Sequence, residues 1–241
     1  MENLNKIEEN FCFVKSDFLN FGLRPFSVLK QFEKMALKHA EMLNIGYYNM
    51  LKKNLLWVAM RIKYEVLRQP NENEMLKIVT YPSGKNMFEF DRDYLIFDES
   101  DNLIIKGTSK WCLISSLNRK IAKVSVAELP ECYNISPAFE GRFLKTETFI
   151  PETLADYSYQ ILPEDIDGNN HTNNTVYAKT IDALCKSVNS NVKFFQINFI
   201  NETHLGERLD CFKKQTDDGV LVLGKICEGE TSFTAKVQFA R

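Results

Sequence analysis

Asp165-Ile-Asp167-Gly-Asn169-Asn-His171-Thr-Asn173-Asn174-Thr-Val-Tyr177 is a polar loop that runs into an amphipathic helix, and the strand pattern beyond that helix decides the fold. The helix reads through about residues 174–189, with Tyr177, Ile181, Leu184 and Val188 on one face. Strand-like segments come next at about 192–202, 207–216, 219–228 and 231–240, the middle pair joined by Asp217-Asp218-Gly219. One long helix succeeded by a meander of strands implies an α+β unit, a curved antiparallel sheet wrapped around its helix.

The first half of the chain repeats this order. Residues 26–43 place Leu29, Phe32, Ala36, Ala40 and Leu43 on one helical stripe, and Pro25 suits the helix start. Trp57–Leu67, Leu76–Tyr81, Phe88–Phe97 and Leu103–Ile114 then read as strands, with a polar turn at 98–102. Ser16-Asp17-Phe18-Leu19-Asn20 ahead of the first helix echoes Glu164-Asp165-Ile166-Asp167-Gly168 ahead of the second. Thr108-Ser109-Lys110-Trp111 echoes Thr234-Ala235-Lys236-Val237. Matches in a common order point to an internal duplication. The stretch 129–150, holding Pro130, Pro137 and Gly141 without a clear period, reads as a connection. The expected organisation is therefore residues 1–128, a connecting segment 129–150, and residues 151–241.

Composition narrows the function classes. With 44% hydrophobic and 26% charged residues the 241-residue chain is an ordinary globular sequence. A formal net charge of −2 supplies no global field for nucleic acid or anionic membrane. Cys12, Cys112, Cys132, Cys185, Cys211 and Cys227 are dispersed, with neither a C-x-x-C pair nor zinc-ligand spacing. No disulfide framework or metal is expected. The polar, acidic start lacks the apolar stretch of a signal peptide, and the longest apolar runs are too short for a bilayer span. A reduced, cytoplasmic setting is expected.

The loop at 165–177 gathers two carboxylates, a histidine and four amides, and one of only three histidines in the chain. A helix N-terminus presents unpaired N–H groups and partial positive charge, which suits a carbonyl oxygen gaining charge. Asn173 and Asn174 are candidates for that oxyanion role, although either residue equally suits a helix cap. Asp165 suits an Asx turn. His39 and His204 read as structural or solvated.

The same residues resemble the acyl-acyl carrier protein thioesterases of bacteria and plant plastids. Asp165 to Tyr177 is similar to that family's D-x-D-x-N-x-H-x-N-N pattern before the second-half helix. Phe199-Ile-Asn-Glu202 falls where the family carries an aromatic, two residues and a glutamate. Trp57-Val58-Ala59-Met60-Arg61, Thr80-Tyr81, Arg92-Asp93-Tyr94 and Ser109-Lys110-Trp111 come in the family's order. The resemblance implies two tandem hotdog folds, each a long helix cradled by an antiparallel sheet. It departs at Gly168, at Thr172 in place of valine, and at Thr203, where plant members have cysteine. A mechanism using that cysteine as nucleophile has no counterpart here.

The resemblance also implies an activity, release of free fatty acid from the thioester of acyl carrier protein. Asp167, Asn169, His171 and Glu202 would form the catalytic group, with Asp167 or Glu202 as nucleophile or as base. Asn169 would orient water or donate to the thioester oxygen, and His171 would pass protons or orient a carboxylate. Phe32, Ala36 and Trp57 are core in the plainest reading and line an acyl site if the first-half helix and sheet leave room. The implied partner is acyl carrier protein with its acyl-phosphopantetheine arm, met by a basic rim for which Lys213, Lys214 and Arg24 are candidates. No cofactor, nucleic acid or membrane span is implied, and a homodimer stays open. The rival readings are a hotdog thioesterase acting on coenzyme A thioesters and a non-catalytic acyl-binding module.

Overall fold

The computed structural model describes residues 5–127, 136–152, 154–168, 170–226 and 229–240. These fall into two compact units that are discontinuous in sequence. One comprises 1–12, 31–68 and 74–142, the other 13–30, 69–73 and 143–241. Segments 13–30 and 69–73 thus group with the C-terminal half, a membership that periodicity does not reveal. Pro130, Cys132 and Cys227 lie outside the described residues.

In the first unit β1 (Ile7–Phe11) precedes α1 (Pro25–Met42), whose opening turns belong to the other unit, and the short α2 (Tyr47–Lys52). The small antiparallel pair β2 (Phe18–Leu19) and β3 (Gly22–Leu23) lies ahead of α1 and belongs to the second unit. Four long strands come after α2: β4 (Leu55–Val66), β5 (Leu76–Lys85), β6 (Glu89–Phe97) and β7 (Leu103–Ser115). They form an antiparallel sheet in the order β1-β5-β6-β7-β4, with the two-residue β8 (Ile121–Ala122) on β7. Of the stripe read on α1, Leu29, Phe32, Ala36 and Leu43 are buried and Ala40 is half-buried, with Val28 and Met35 shielded beside them. Phe32 stacks on Tyr94 of β6, with ring centroids 4.1 Å apart and planes 7° apart, and meets Tyr64 of β4 edge-on. Gly107 of β7 makes room for it, since a Cβ there would stand 2.3 Å from Phe32 Cε2. At the end of α1, Leu43, Ile45 and Met50 pack with Leu55 and Leu113, and Trp57 closes over them.

The second unit repeats the plan. β9 (Tyr157–Gln160) precedes α3 (Asn174–Leu184), and after the helix come β10 (Val192–Phe199), β11 (Arg208–Thr216), β12 (Gly219–Lys225) and β13 (Thr231–Phe239). Its antiparallel sheet runs β10-β13-β12-β11-β9. α3 buries Val176, Tyr177, Ala178, Ile181 and Leu184, and Tyr177 lies against Phe199 and Phe233 of the sheet. Cys185 and Cys211 are buried as small apolar groups, and burial pushes both thiols up to about 12.

The duplication extends to the turns. Residues Lys15–Asp17 and Pro163–Asp165 each form one 3-10 turn ending in aspartate. Asp17 O accepts from Arg24 N at 2.9 Å, closing the β2–β3 hairpin. Asp165 O likewise accepts from Asn173 N at 2.8 Å, closing the loop bridged at Ile166 and Thr172. The first loop carries Leu19 and Gly22 where the second carries Asp167 and His171.

Candidate active site

The loop from Asp165 to Asn173 holds itself. Asp167 N donates to His171 O at 2.8 Å, and Asp167 Oδ1 accepts from His171 N at 3.2 Å. Asn170 N donates to Asp167 O, and Asn170 turns the chain at φ 63°, a conformation asparagine tolerates. This pairing stands the side chains of Asp167 and His171 at one end of a short antiparallel loop.

Glu202 arrives from the chain beyond β10. Its Oε2 lies 3.2 Å from His171 Nε2, the two side chains being 37% and 22% exposed. Both are therefore within reach of a substrate while remaining fixed in direction. Thr203 joins the two segments. Its carbonyl accepts from both the N–H and the Oγ1 of Thr172, each at 2.9 Å. Its own hydroxyl, fully buried, bonds the Tyr177 hydroxyl at 2.8 Å. Burial raises the Tyr177 phenol above its ordinary range, so that hydroxyl keeps its proton. Threonine at 172 and 203 thus creates a polar seam that fastens the histidine loop to the segment bearing Glu202. Sequence reasoning misses the seam because neither hydroxyl has a partner nearby in the chain.

At the head of α3 the cap is Asn173. Its side-chain oxygen accepts from Thr175 N at 2.8 Å and from Thr175 Oγ1 at 2.6 Å, and its carbonyl accepts from Val176 N. The capping reading of Asn173 is the one realised. Neither cap contact uses the Asn174 amide. Asn169 lies outside the described residues.

His204 stands closer to this site than its sequence suggests, its ring 5.2 Å from that of His171, on a turn pinned by His204 N donating to Glu207 Oε2. His39 is buried in the first unit, where its Nδ1 accepts from Arg92 Nη1 at 3.0 Å. Arg24, a candidate for a basic rim, is occupied by Asp182 and by Ser16 O, while Lys213 and Lys214 are exposed on β11. Phe32, Ala36 and Trp57 belong to the first unit. Phe32 and Ala36 are buried, and Trp57 is half-buried with its Nε1 donating to Ile45 O at 3.0 Å. Among the described residues no three His, Cys, Asp or Glu side chains come together as a metal site.

A carboxylate and an imidazole in contact, beside a second carboxylate and a helix N-terminus, are equipped for base-assisted attack on a carbonyl carbon. Comparison with known proteins identifies the family. The family model described as the acyl-ACP thioesterase N-terminal domain matches residues 16–132, and that of the C-terminal domain matches residues 152–241. The chloroplastic acyl-(acyl-carrier-protein) hydrolase FATB3 of Cuphea viscosissima is 26% identical over 220 residues, covering 86% of this chain and 52% of its own. The chloroplastic palmitoyl-acyl carrier protein thioesterase of Arabidopsis thaliana is 28% identical over 183 residues, covering 66% of this chain and 44% of its own. The chain thus spans about half the length of these curated relatives. Among solved structures, the acyl-ACP thioesterase of Bacteroides thetaiotaomicron superposes with a TM-score of 0.85 at 19% identity, covering 100% of both chains. The 12:0-ACP thioesterase of Umbellularia californica gives 0.87 at 18%, covering 100% of this chain and 98% of that one. These likenesses establish the tandem hotdog fold, and with two family models accounting for most of its residues the chain belongs to the acyl-ACP thioesterase family.

Proposed function

We propose that this protein hydrolyses the thioester of fatty acyl-acyl carrier protein to free fatty acid and carrier protein. The observation that carries the reading is the convergence of His171 and Glu202 at 3.2 Å, beside the loop that holds Asp167. We take Glu202 as the base because its carboxylate contacts the imidazole that can carry its proton onward. In this mechanism Glu202, oriented by His171, takes a proton from water as the water oxygen bonds the thioester carbon. The carbonyl oxygen gains charge facing the Asn174 amide at the head of α3, a donor of the kind worth roughly 3–4 kcal/mol. The C–S bond then breaks with its electrons on sulfur, and the proton passes from Glu202 through His171 to the departing thiolate. Asn169 would orient the water.

We further assign residues 1–128 to an N-terminal hotdog that holds the acyl chain, with Phe32, Ala36 and Trp57 lining it. Residues 129–150 are the connection, and 151–241 carry the catalytic motif. No described helix is long and apolar enough to cross a membrane. The dispersed cysteines suit a reducing cytoplasmic setting, and a homodimer is the assembly to test.

The deciding measurement is thiol release from a panel of acyl-carrier-protein thioesters, with the matching coenzyme A thioesters alongside. Asp167→Ala, His171→Ala and Glu202→Ala should each lower turnover by about 10²–10⁴. Undiminished turnover in all three folded variants removes the site. Equal or faster turnover of the coenzyme A series reassigns the carrier.

A further inference from the structure

Asp165 takes no part in the chemistry above, yet it is 4% exposed and holds more polar partners than its place in a surface turn requires. Its Oδ2 accepts from the Tyr159 hydroxyl at 2.7 Å and from Leu162 N at 3.0 Å, and Lys179 Nζ lies 3.5 Å from Oδ1. Lys179 Nζ also donates to the Tyr159 hydroxyl at 2.9 Å and lies over that ring, 4.9 Å from its centroid. Three elements meet on this carboxylate. Tyr159 lies on β9, opposite Leu209 of β11, Asp165 opens the histidine loop, and Lys179 stands in the second turn of α3.

We propose that Asp165, gripped by Tyr159 and Lys179, is a positioning residue that fixes Asp167 and His171 against Glu202. The inference rests on the hydrolase reading of the site. Through its carbonyl Asp165 anchors Asn173, and Asp167 stands two residues further on, so a shift of this carboxylate moves both ends of the loop together. The duplicated half separates this role from simple turn formation. Asp17, at the same place in the first repeat, accepts from Val14 N as Asp165 does from Leu162 N, and among the described residues its other oxygen takes only the Ser27 hydroxyl. A turn needs no more than that. The phenol and ammonium are added in the repeat that carries the histidine and carboxylate. Burial raises the Tyr159 phenol above its ordinary range, and the bond to Tyr159 raises the Lys179 ammonium. At neutral pH the proton order is therefore fixed, with lysine donating to phenol and phenol to carboxylate.

The test is steady-state thiol release from an acyl-carrier-protein thioester by the parent chain, Asp165→Asn, Lys179→Met, Lys179→Arg and Tyr159→Phe, with melting temperature measured for each. Small displacements of catalytic groups cost up to about a hundredfold, so Asp165→Asn and Lys179→Met should lower kcat by roughly ten- to a hundredfold with KM within about twofold. Lys179→Arg, which keeps a charged donor, should recover kcat to within about threefold of the parent. Lys179 is 41% exposed, so Lys179→Met should melt close to the parent and separates loop placement from folding. A kcat in Lys179→Met equal to that of the parent overturns the inference, as does a deficit in Lys179→Met that Lys179→Arg shares in full. A parent chain that releases no thiol overturns the hydrolase reading itself, and the positioning role falls with it.

Discussion

Thr203 shows what a single buried side chain settles beside the candidate site. A cysteine at this position would face the Tyr177 phenol, because the Thr203 side chain is fully buried with its hydroxyl 2.8 Å from that phenol. A thiol so placed is desolvated and held in its neutral form, as the buried Cys185 and Cys211 are. Thr203→Cys should therefore leave turnover within about threefold of the parent, with no new sensitivity to iodoacetamide, since only an exposed thiolate reacts readily. Rapid inactivation by that reagent would show that the position opens toward substrate. Thr203→Val removes one partner of the Tyr177 phenol while Ser232 and the Thr203 backbone remain beside it, so the loss is that of one hydrogen bond, about 0.5–1.5 kcal/mol. Its melting temperature should fall while kcat, measured well below the transition, stays near that of the parent, because the Thr203 carbonyl still holds Thr172.

At the scale of the element, α3 carries a buried charge whose cost depends on pH. Asp182, in the last turn of the helix, is 2% exposed and paired with Arg24 Nε at 2.9 Å. Burial pushes its carboxyl from the ordinary 3.8 up to about 7, with Arg24 pulling the other way. The folded chain therefore favours the protonated acid. The stability this confers is full below pH about 4 and is lost as pH rises through about 7. It amounts to roughly 4 kcal/mol over the whole window, most of it between pH 5 and 8. Asp182→Asn has no such titration, and its neutral amide oxygen can accept from Arg24 at either pH with no charge to bury. The melting temperature of the variant relative to the parent should therefore be higher at pH 8 than at pH 5. An equal difference at both values would mean that Arg24 keeps the acid ionised throughout. The helix itself is legible in the sequence because its apolar period is regular. The expected 174–189 is observed as Asn174–Leu184, capped by Cys185, after which Lys186 N turns to Ala183 O, and each strand of the meander lies within a few residues of its expected span. The edge strands β1 and β9 and the short α2 escape a reading by period, since four to six residues carry too little of it. Of the site, His171 and Glu202 are named by the resemblance of their stretches to the family's motif, since neither stands out by residue type alone. The clamp of Tyr159, Asp165 and Lys179 cannot be named so, because its members meet only when the edge strand docks.

Across the whole molecule, the proposed division gives the acyl chain to the first half and the chemistry to the second. The two loops share an aspartate-ended turn and its closing hydrogen bond, but only the second carries the carboxylate and imidazole. The first half retains instead a dense aromatic interior, in which Phe32 is held between Tyr94 and the bare backbone of Gly107. On the proposed division, changes in that interior alter which chains are accepted, and changes at His171 alter how fast any of them is cleaved. Phe32→Ala should cost about 3–5 kcal/mol of stability through the cavity it leaves. It should also move the chain-length optimum, because each methylene accommodated is worth about 0.8 kcal/mol, near fourfold in affinity. His171→Ala should lower the rate on every chain length by a common factor. The check is one panel of acyl-carrier-protein thioesters of graded length assayed with both variants well below their melting temperatures. A Phe32→Ala profile parallel to that of the parent would place the acyl chain elsewhere and leave this aromatic cluster as core alone.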